Sequence, residues 1–181
     1  MAGFSKATVA DTLCDPSVSE PIPAMPIDPP TLTMTFFVNT SPLAGKSGKK
    51  LTSRMIGERL FKEAETNIAL KVEQSENNEA FEVSGRGELQ LGILIETMRR
   101  EGFELSVSRP RVVMQTNENG EKLEPIEDVV IDVDDEFSGV VIEKMTKRKA
   151  TITEMKASGG GKTRIVFSAP SRGLIGYLSE F

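Results

Sequence analysis

The chain has 181 residues and a formal net charge of −5, with 38% hydrophobic and 27% charged residues. This length and composition predict one or two globular domains. The chain has no histidine and one cysteine, Cys14, which excludes Ser-His and Cys-His catalytic pairs, His-bearing zinc sites and an internal disulfide. No apolar run approaches the roughly 18 residues of a membrane span, so we expect a cytoplasmic protein with no membrane partner.

Charge is arranged in blocks along the chain. Residues 40–72 carry seven Lys and Arg against three acids, and residues 143–172 carry eight against two. Residues 118–136, in contrast, carry nine acids against Lys122. Two basic blocks can offer local basic surfaces to RNA despite the negative net charge. They can equally be solvated helix faces, and composition alone leaves both interpretations open.

The first part of the chain predicts a proline-rich segment followed by alternating strands and helices. Residues 1–30 contain six prolines, which forbid a helix and predict an extended tail or linker. Thr52 or Ser53 is a typical helix cap, and Gly102 is a typical helix end. Alternation and helical spacing then predict strands at about 31–38, 67–74, 79–84 and 103–108, and helices at about 52–64 and 87–101.

The pattern restarts after residue 110. Asn119-Gly120 predicts a hairpin turn between strands at about 112–116 and 122–134. A helix at about 135–148 follows, and then strands at about 150–156 and 162–169 joined by the turn 158–161. A last helix begins at Pro170-Ser171. The expected inward residues of the two helices are Phe137, Val140, Val141 and Met145, and then Leu174, Ile175 and Leu178.

The element order β-α-β-β-α-β is that of a split β-α-β, or ferredoxin-like, unit. We therefore predict an α+β fold with two ferredoxin-like units in tandem, 31–110 and 111–181, after the extended segment 1–30. The second unit is incomplete because its fourth strand is missing. Its first strand, at about 127–133, would then be an open edge that invites pairing with another chain or a borrowed strand. We expect a dimer through this edge, or partial disorder near it.

Two glycine motifs resemble nucleotide sites and fall short of them. Gly45-Lys46-Ser47 lacks the first glycine of a phosphate loop, since Thr40 stands there, and Pro42 removes an amide donor. Gly85-Arg86-Gly87 has Gln90 where a dinucleotide motif needs its third glycine. We interpret the latter as a tight turn with positive φ at one glycine. The sequence thus predicts no nucleotide-binding residues.

A run of acids between residues 132 and 143 matches part of a calcium-binding loop. Phe137 occupies the position where that loop needs glycine for its sharp turn. The acids are better explained as residues at a helix N-terminus, where the helix dipole favours negative charge. We therefore predict no metal site, and we find no catalytic residues.

Six stretches of the sequence carry a resemblance to a known family, namely 38–45, 52–54, 84–91, 98–105, 108–110 and 169–176. They resemble the translational GTPases of the elongation factor G type, and the resemblance covers nearly the whole chain. In that family, residues 7–15 would end a β-barrel domain, about 31–108 would be the third domain and about 111–181 the start of the fifth. The short passage between residues 110 and 124 resembles a branch that has no further domain inserted there.

The motifs of a GTP-hydrolysing domain are missing from the chain. The resemblance therefore implies a non-catalytic fragment, with GTP and magnesium belonging to the parent's missing G domain. The missing G, barrel and C-terminal domains would be partners of this chain. The parent would bind ribosomes and act in translation, ribosome assembly and stress adaptation.

The resemblance suggests contacts with ribosomal RNA phosphates, which position a protein without reading sequence. The candidate residues are Lys46, Lys49, Lys50 and Arg54 in the first unit, and Lys147, Arg148, Lys149 and Arg172 in the second. Solvated charges, or contacts to the missing domains, are the competing explanation for them.

Two alternative functions remain open at the level of sequence. One is a free-standing α+β regulatory module that binds a small molecule, which a concave apolar pocket would favour. The other is a hydrolase that uses serine and lysine, although nothing in the sequence places such a pair together.

Overall fold

The structure, a computed structural model, describes residues 11–23, 28–75 and 79–180, and the chain divides into two compact units, Met1–Pro110 and Arg111–Phe181. It is an α+β protein. Its helices are α1 Ser53–Thr66, α2 Glu88–Arg100, α3 Ser138–Lys147 and α4 Ser171–Leu174. Its strands are β1 Leu32–Val38, β2 Lys71–Gln74, β3 Ala80–Gly85, β4 Leu105–Val107, β5 Arg111–Val112, β6 Gln115–Thr116, β7 Lys122–Leu123, β8 Ile126–Asp134, β9 Thr151–Gly159 and β10 Lys162–Pro170.

The first unit is built on an antiparallel sheet in which four strands lie in the order β2-β3-β1-β4. Phe36 lies opposite Phe81 and Met34 opposite Val83, so matching apolar residues share one face. Helices α1 and α2 bury their apolar sides, and the core forms between helices and sheet. The buried apolar residues of this unit are Leu32, Met34, Phe36, Ile56, Leu60, Leu70, Phe81, Val83, Leu91, Leu94, Met98 and Phe103.

Both helices of this unit have the ends that the sequence predicts. The Thr52 hydroxyl accepts a hydrogen bond from the Met55 amide, which caps α1. Helix α2 ends in a Schellman motif, in which Gly102 has φ +86° and the Phe103 amide donates to the Met98 carbonyl. Glycine takes this left-handed conformation without the steric cost that a side chain adds.

The second unit is a three-stranded antiparallel sheet in the order β8-β10-β9, with α3 linking β8 to β9. The predicted hairpin is present as β6 and β7, and Gly120 in its turn has φ +81°. The core residues of this unit are Ile131, Val133, Val141, Met145, Ala150, Ile165, Phe167, Ala169 and Tyr177.

Two of the four residues predicted to face inward from α3 do not. Val141 and Met145 are buried, but Phe137 is 52% exposed and Val140 is 53% exposed. Phe137 belongs to a 3₁₀ turn that precedes the helix, and Val140 lies on a side of α3 beside an open cavity. Helical spacing identifies an apolar stripe but does not say how much of it another layer covers.

The final predicted helix begins at Ser171 as expected but is much shorter than predicted. Helix α4 ends at Leu174, because Ile175 leaves the helical region with ψ 123° and Gly176 takes φ +73°. The chain continues as a 3₁₀ turn, Tyr177–Ser179, which buries Tyr177 and leaves Leu178 72% exposed.

The tight turn expected at Gly85 and Gly87 does not use a positive φ at either residue. Gly85 instead packs closely against a side chain, because a Cβ there would lie 2.8 Å from Oε1 of Gln90. That oxygen accepts a hydrogen bond from the Arg86 amide at 2.8 Å. The Gln90 side chain therefore fills the space that a larger residue at position 85 would need.

The barrel strand predicted at residues 7–15 is not formed in the part of this segment that the structure describes. Residues 11–15 are exposed and form no strand, since a barrel strand needs neighbouring strands to pair with. Residues 7–10 of that predicted strand, and the turn predicted at 76–78, lie outside the described residues.

Strand β8 pairs with β10 on one side, and no strand in the described part of the chain pairs with its other side. Ile126 and Val130 of this strand are 59% and 57% exposed. A cavity of about 360 Å³ lies beside it, lined in part by Val133, Phe137 and Val140. The exposed side of this edge strand therefore carries two apolar residues, Ile126 and Val130, together with acids such as Asp128 and Asp132.

Two mid-helix glycines give a matched test of packing in the first unit. A Cβ on Gly57 of α1 would lie 2.5 Å from Cζ of the buried Phe81 ring, whereas a Cβ on Gly92 of α2 meets nothing within 4 Å. Alanine favours a helix over glycine by about 1 kcal/mol. In urea unfolding followed by circular dichroism, we expect Gly92→Ala to raise the free energy of unfolding by about that much.

Gly57→Ala adds the same helix propensity together with a clash, and overpacking a core costs about 1–3 kcal/mol. We expect this variant to be less stable than the parent chain. Equal stabilisation by both substitutions would contradict the packing of α1 against Phe81.

Candidate nucleic-acid interface

The first candidate surface is the basic loop, residues 39–50, which joins β1 to α1. Three of its backbone amides converge on the carboxylate of Glu104, the residue that precedes β4. Gly45 donates to both oxygens at 3.1 Å, and Ser47 and Gly48 each donate to Oε2 at 3.0 Å. The side-chain amide of Asn39 donates to Oε1 at 2.7 Å. The Glu104 carboxylate therefore holds the basic loop at Asn39 and again between Gly45 and Gly48.

These hydrogen bonds favour the charged form of Glu104. The Ser47 amide, with the amides of Gly45 and Gly48 and the side chain of Asn39, lowers the pKa of the Glu104 carboxyl below its usual value. The carboxylate therefore remains ionised, and keeps its four donors, throughout the neutral pH range.

The end of the basic loop is attached to the end of α2. The amides of Lys49 and Lys50 both donate to the Gly102 carbonyl at 3.1 Å, and the Glu104 amide donates to the Lys50 carbonyl at 3.2 Å. Gly48 packs closely here, since a Cβ at this position would lie 2.7 Å from the Gly102 oxygen. The loop backbone is thus anchored at two places.

The four predicted residues of this unit fall into different environments. Lys46 and Lys49 are exposed, and neither forms an ion pair with any acid in the described part of the chain. The Lys50 ammonium lies 4.6 Å from the centre of the Phe103 ring, a cation–π distance. Arg54 forms an exposed ion pair with Glu58 at 2.8 Å.

A cavity of about 450 Å³ adjoins the basic loop at Lys50 and Phe103. Arg59 contributes to its wall, held by Glu101 at 2.7 Å and Glu63 at 2.8 Å. Lys62 also lines it, is exposed and forms no ion pair with described residues. The sequence pattern did not single out Lys62, because its spacing along α1 gives no sign that it lies near Lys50.

The predicted basic residues of the second unit, at positions 147–149, also lie in different environments. Lys147 pairs with Glu143 at 2.6 Å. Arg148 is largely enclosed by its contacts, because it donates to the carbonyls of Gly173 at 2.8 Å and Ile175 at 3.1 Å. It also pairs with Glu180 at 2.6 Å. Arg148 therefore holds the C-terminal turn in place and is not available to a partner.

Lys149 ends α3 in an unusual backbone conformation. Its φ is +70°, and it is the only residue other than glycine with positive φ in the described chain. The Ala150 amide donates to the Met145 carbonyl and the Lys149 amide to the Thr146 carbonyl, which is the Schellman pattern. The Lys149 side chain is exposed and forms no ion pair with described residues.

Arg172, the last predicted residue, forms an ion pair with Glu124. The eight predicted residues thus do not form one continuous set of available charges. Three of them, Lys46, Lys49 and Lys149, are exposed cations that form no ion pair with a described acid. Lys62 forms no ion pair with a described acid either, although its charge helps to lower the pKa of Glu101.

The described residues do not fit a nucleotide or a metal ion. The loop whose amides could hold a phosphate is filled by Glu104. Within residues 11–23, 28–75 and 79–180, no group of three His, Cys, Asp or Glu side chains could hold a metal. None of the helices in this part of the chain is long and apolar enough to cross a membrane.

Comparisons with known proteins place the chain in a class. Residues 121–181 match the family described as the elongation factor G C-terminus. The whole chain is 49% identical to proteins of Salmonella typhimurium and Escherichia coli K12 and 48% identical to one of Synechocystis, each named large ribosomal subunit assembly factor BipA. This chain therefore belongs to the BipA family.

The chain spans about 30% of the length of these relatives. Among solved structures, a crystal structure of a Thermus thermophilus protein shares 13% identity, with a TM-score of 0.49. The alignment covers 92% of this chain and 40% of that protein.

Arg148 and Lys149 are neighbours with opposite expected effects on stability. Hydrogen bonds to a charged group are worth about 1.5–3 kcal/mol, so we expect Arg148→Ala to lower the free energy of unfolding by about 2 kcal/mol. Lys149→Gly removes the left-handed strain and should raise it by about 1 kcal/mol. The chain has one tyrosine and no tryptophan, so Tyr177 fluorescence in urea reports on this unit. Destabilisation by Lys149→Gly would contradict the helix end described here.

Proposed function

We propose that this chain is a ribosome-binding, non-catalytic part of a longer BipA-type translational GTPase. The relatives that match its whole length are named large ribosomal subunit assembly factors, and this proposal extends that role to the present protein. GTP and magnesium would bind to a G domain elsewhere in the longer protein. The protein would act in the cytoplasm, in ribosome assembly and in adaptation to stress.

The same proposal assigns the two units to ferredoxin-like domains. The sheet order β2-β3-β1-β4 supports this for residues 31–110, since it is the order of a complete split β-α-β unit. The order β8-β10-β9 supports an incomplete unit for residues 111–181, with residues 1–30 as the end of a barrel domain and a linker. The G, barrel and C-terminal domains of the longer protein would be its covalent partners.

One observation carries the proposed RNA contact: Lys46 and Lys49 are exposed, have no acidic partner among described residues, and lie on a loop whose backbone is anchored. Most surface cations of the described chain are already paired. Cations without internal partners gain most from phosphate, because no existing ion pair must be broken.

Lys149 supports the same role in the second unit. A side chain at positive φ costs about 1–2 kcal/mol relative to glycine, and backbone strain of this kind is often retained at functional positions. A lysine that projects its charge from a strained helix end suits phosphate contact. We therefore assign the contact to Lys46, Lys49 and Lys149, and a structural role to Arg148.

Salt dependence tests the phosphate contact directly. Each phosphate contact that a substitution removes lowers the slope of log K against log salt by about 0.7–0.9. For binding to purified large ribosomal subunits, we expect Lys46→Ala with Lys49→Ala to reduce the slope by up to twice that amount.

The matched control is Lys71→Ala with Lys156→Ala, which changes the net charge equally. Both of these lysines are exposed but paired, with Glu73 at 2.8 Å and Glu154 at 2.9 Å. We expect their removal to leave the slope unchanged. The same slope for the parent chain and the Lys46/Lys49 variant would contradict the proposed contact.

We also propose that the open edge of β8 takes a strand from a second copy of this chain. The exposed apolar side chains of Ile126 and Val130 on this edge strand support this. Residues 127–133 contain no lysine or proline, the residues that protect natural edges. The acids of β8 would lie close together in such a dimer, so salt should strengthen the association.

Sedimentation velocity across a concentration series tests this dimer. Val130→Lys places a charge on the edge and should give a monomer. Ile93→Lys on α2 is the control, because Ile93 is 58% exposed and lies in the other unit. A parent chain that remains monomeric at high concentration and high salt would refute this proposal.

A further inference from the structure

The basic loop is an anion-binding cradle whose anion belongs to the protein itself. Backbone amides that converge on one point form the concave sites in which proteins hold phosphate groups. In this chain the amides of Gly45, Ser47 and Gly48 converge in that way on Glu104. The Gly45-Lys46-Ser47 run therefore does bind an anion, although it is not a nucleotide loop.

The cradle determines where two lysines lie. Lys46 stands between two residues whose amides bind Glu104, and Lys49 follows the third. Their backbone is held while their side chains stay exposed. A loop that is ordered before binding loses less conformational entropy when it meets its partner.

We propose that Glu104 is a positioning residue for RNA binding, whose internal carboxylate holds the basic loop so that Lys46 and Lys49 both meet the phosphate backbone. This inference rests on the proposed function and adds a residue to it. Glu104 itself carries the same charge as RNA and makes no contact with it. Its contribution passes through the loop amides alone.

The sign of one substitution separates this role from long-range electrostatics. Glu104→Gln makes the chain less acidic, so electrostatics alone would strengthen its binding to RNA. Glutamine keeps one acceptor oxygen but replaces the other with an N–H₂ group that faces a donor, which would weaken the hold on the loop. Positioning therefore predicts weaker binding from a change that removes negative charge.

The experiment measures binding of the 181-residue chain to purified large ribosomal subunits between about 50 and 200 mM salt. Each phosphate contact that is removed reduces the ratio of the affinities at these two concentrations by about threefold. We expect Glu104→Gln to remove up to two such contacts. Glu65→Gln, an exposed acid of α1 without an ion pair to described residues, is the charge-matched control and should not weaken binding.

A double-mutant cycle shows whether the effect passes through the lysines. In a chain that already carries Lys46→Ala and Lys49→Ala, Glu104→Gln should not weaken binding any further. Asn39→Ala removes one donor to the carboxylate and leaves the charge intact, so it should weaken binding in the same way but less. It also keeps the test valid should Glu104→Gln fold poorly.

The outcomes separate this inference from the function on which it rests. An unchanged slope after Lys46→Ala with Lys49→Ala would refute the loop contact, and the inference with it. A reduced slope for the lysine variant but not for Glu104→Gln or Asn39→Ala would overturn the positioning role alone. Tighter binding by Glu104→Gln would also overturn it, because the loss of a negative charge alone predicts that result.

Discussion

The hydrogen bonds from the basic loop to Glu104 are the interaction on which the proposed interface depends. They join the residue before β4 to a loop more than 50 positions earlier in the chain and so form one rigid turn. The α2 end supplies the second anchor, because the Gly102 carbonyl accepts the amides of Lys49 and Lys50. The sheet, the helix end and the basic loop thus form one connected structure, and the exposed lysines are its outward side.

The two units use the same helix end for different purposes. Helices α2 and α3 both finish in a Schellman motif, with Gly102 in one and Lys149 in the other. Gly102 takes the left-handed conformation without strain and offers its carbonyl to the basic loop. Lys149 takes it with strain and offers its charge to solvent. The first arrangement favours stability, whereas the second is what we expect where stability is exchanged for binding.

The sequence predicted the element order well because local signals are strong in this chain. The caps at Thr52 and Gly102 and the hairpin turn at Gly120 all have the predicted form. The burial of α3 was predicted less well, since helical spacing cannot show that the side bearing Phe137 and Val140 lacks a covering layer. Missing tertiary information, rather than weak propensity, accounts for these errors.

The candidate site was only partly predictable, because tertiary contacts are missing from the sequence there too. Charge blocks singled out Lys46 and Lys49, but they could not separate these from Arg148, whose partners lie at least 25 residues away in the chain. Glu104 gave no signal at all, because its role depends on contacts with a loop that is distant in sequence.

Photo-crosslinking tests the central claim most directly. A photoreactive residue at position 49, in the chain bound to large ribosomal subunits, should crosslink to ribosomal RNA. The same residue at position 65 on α1 should crosslink much less, because that position lies outside the basic loop. Equal crosslinking from both positions, or none to RNA from position 49, would contradict the account.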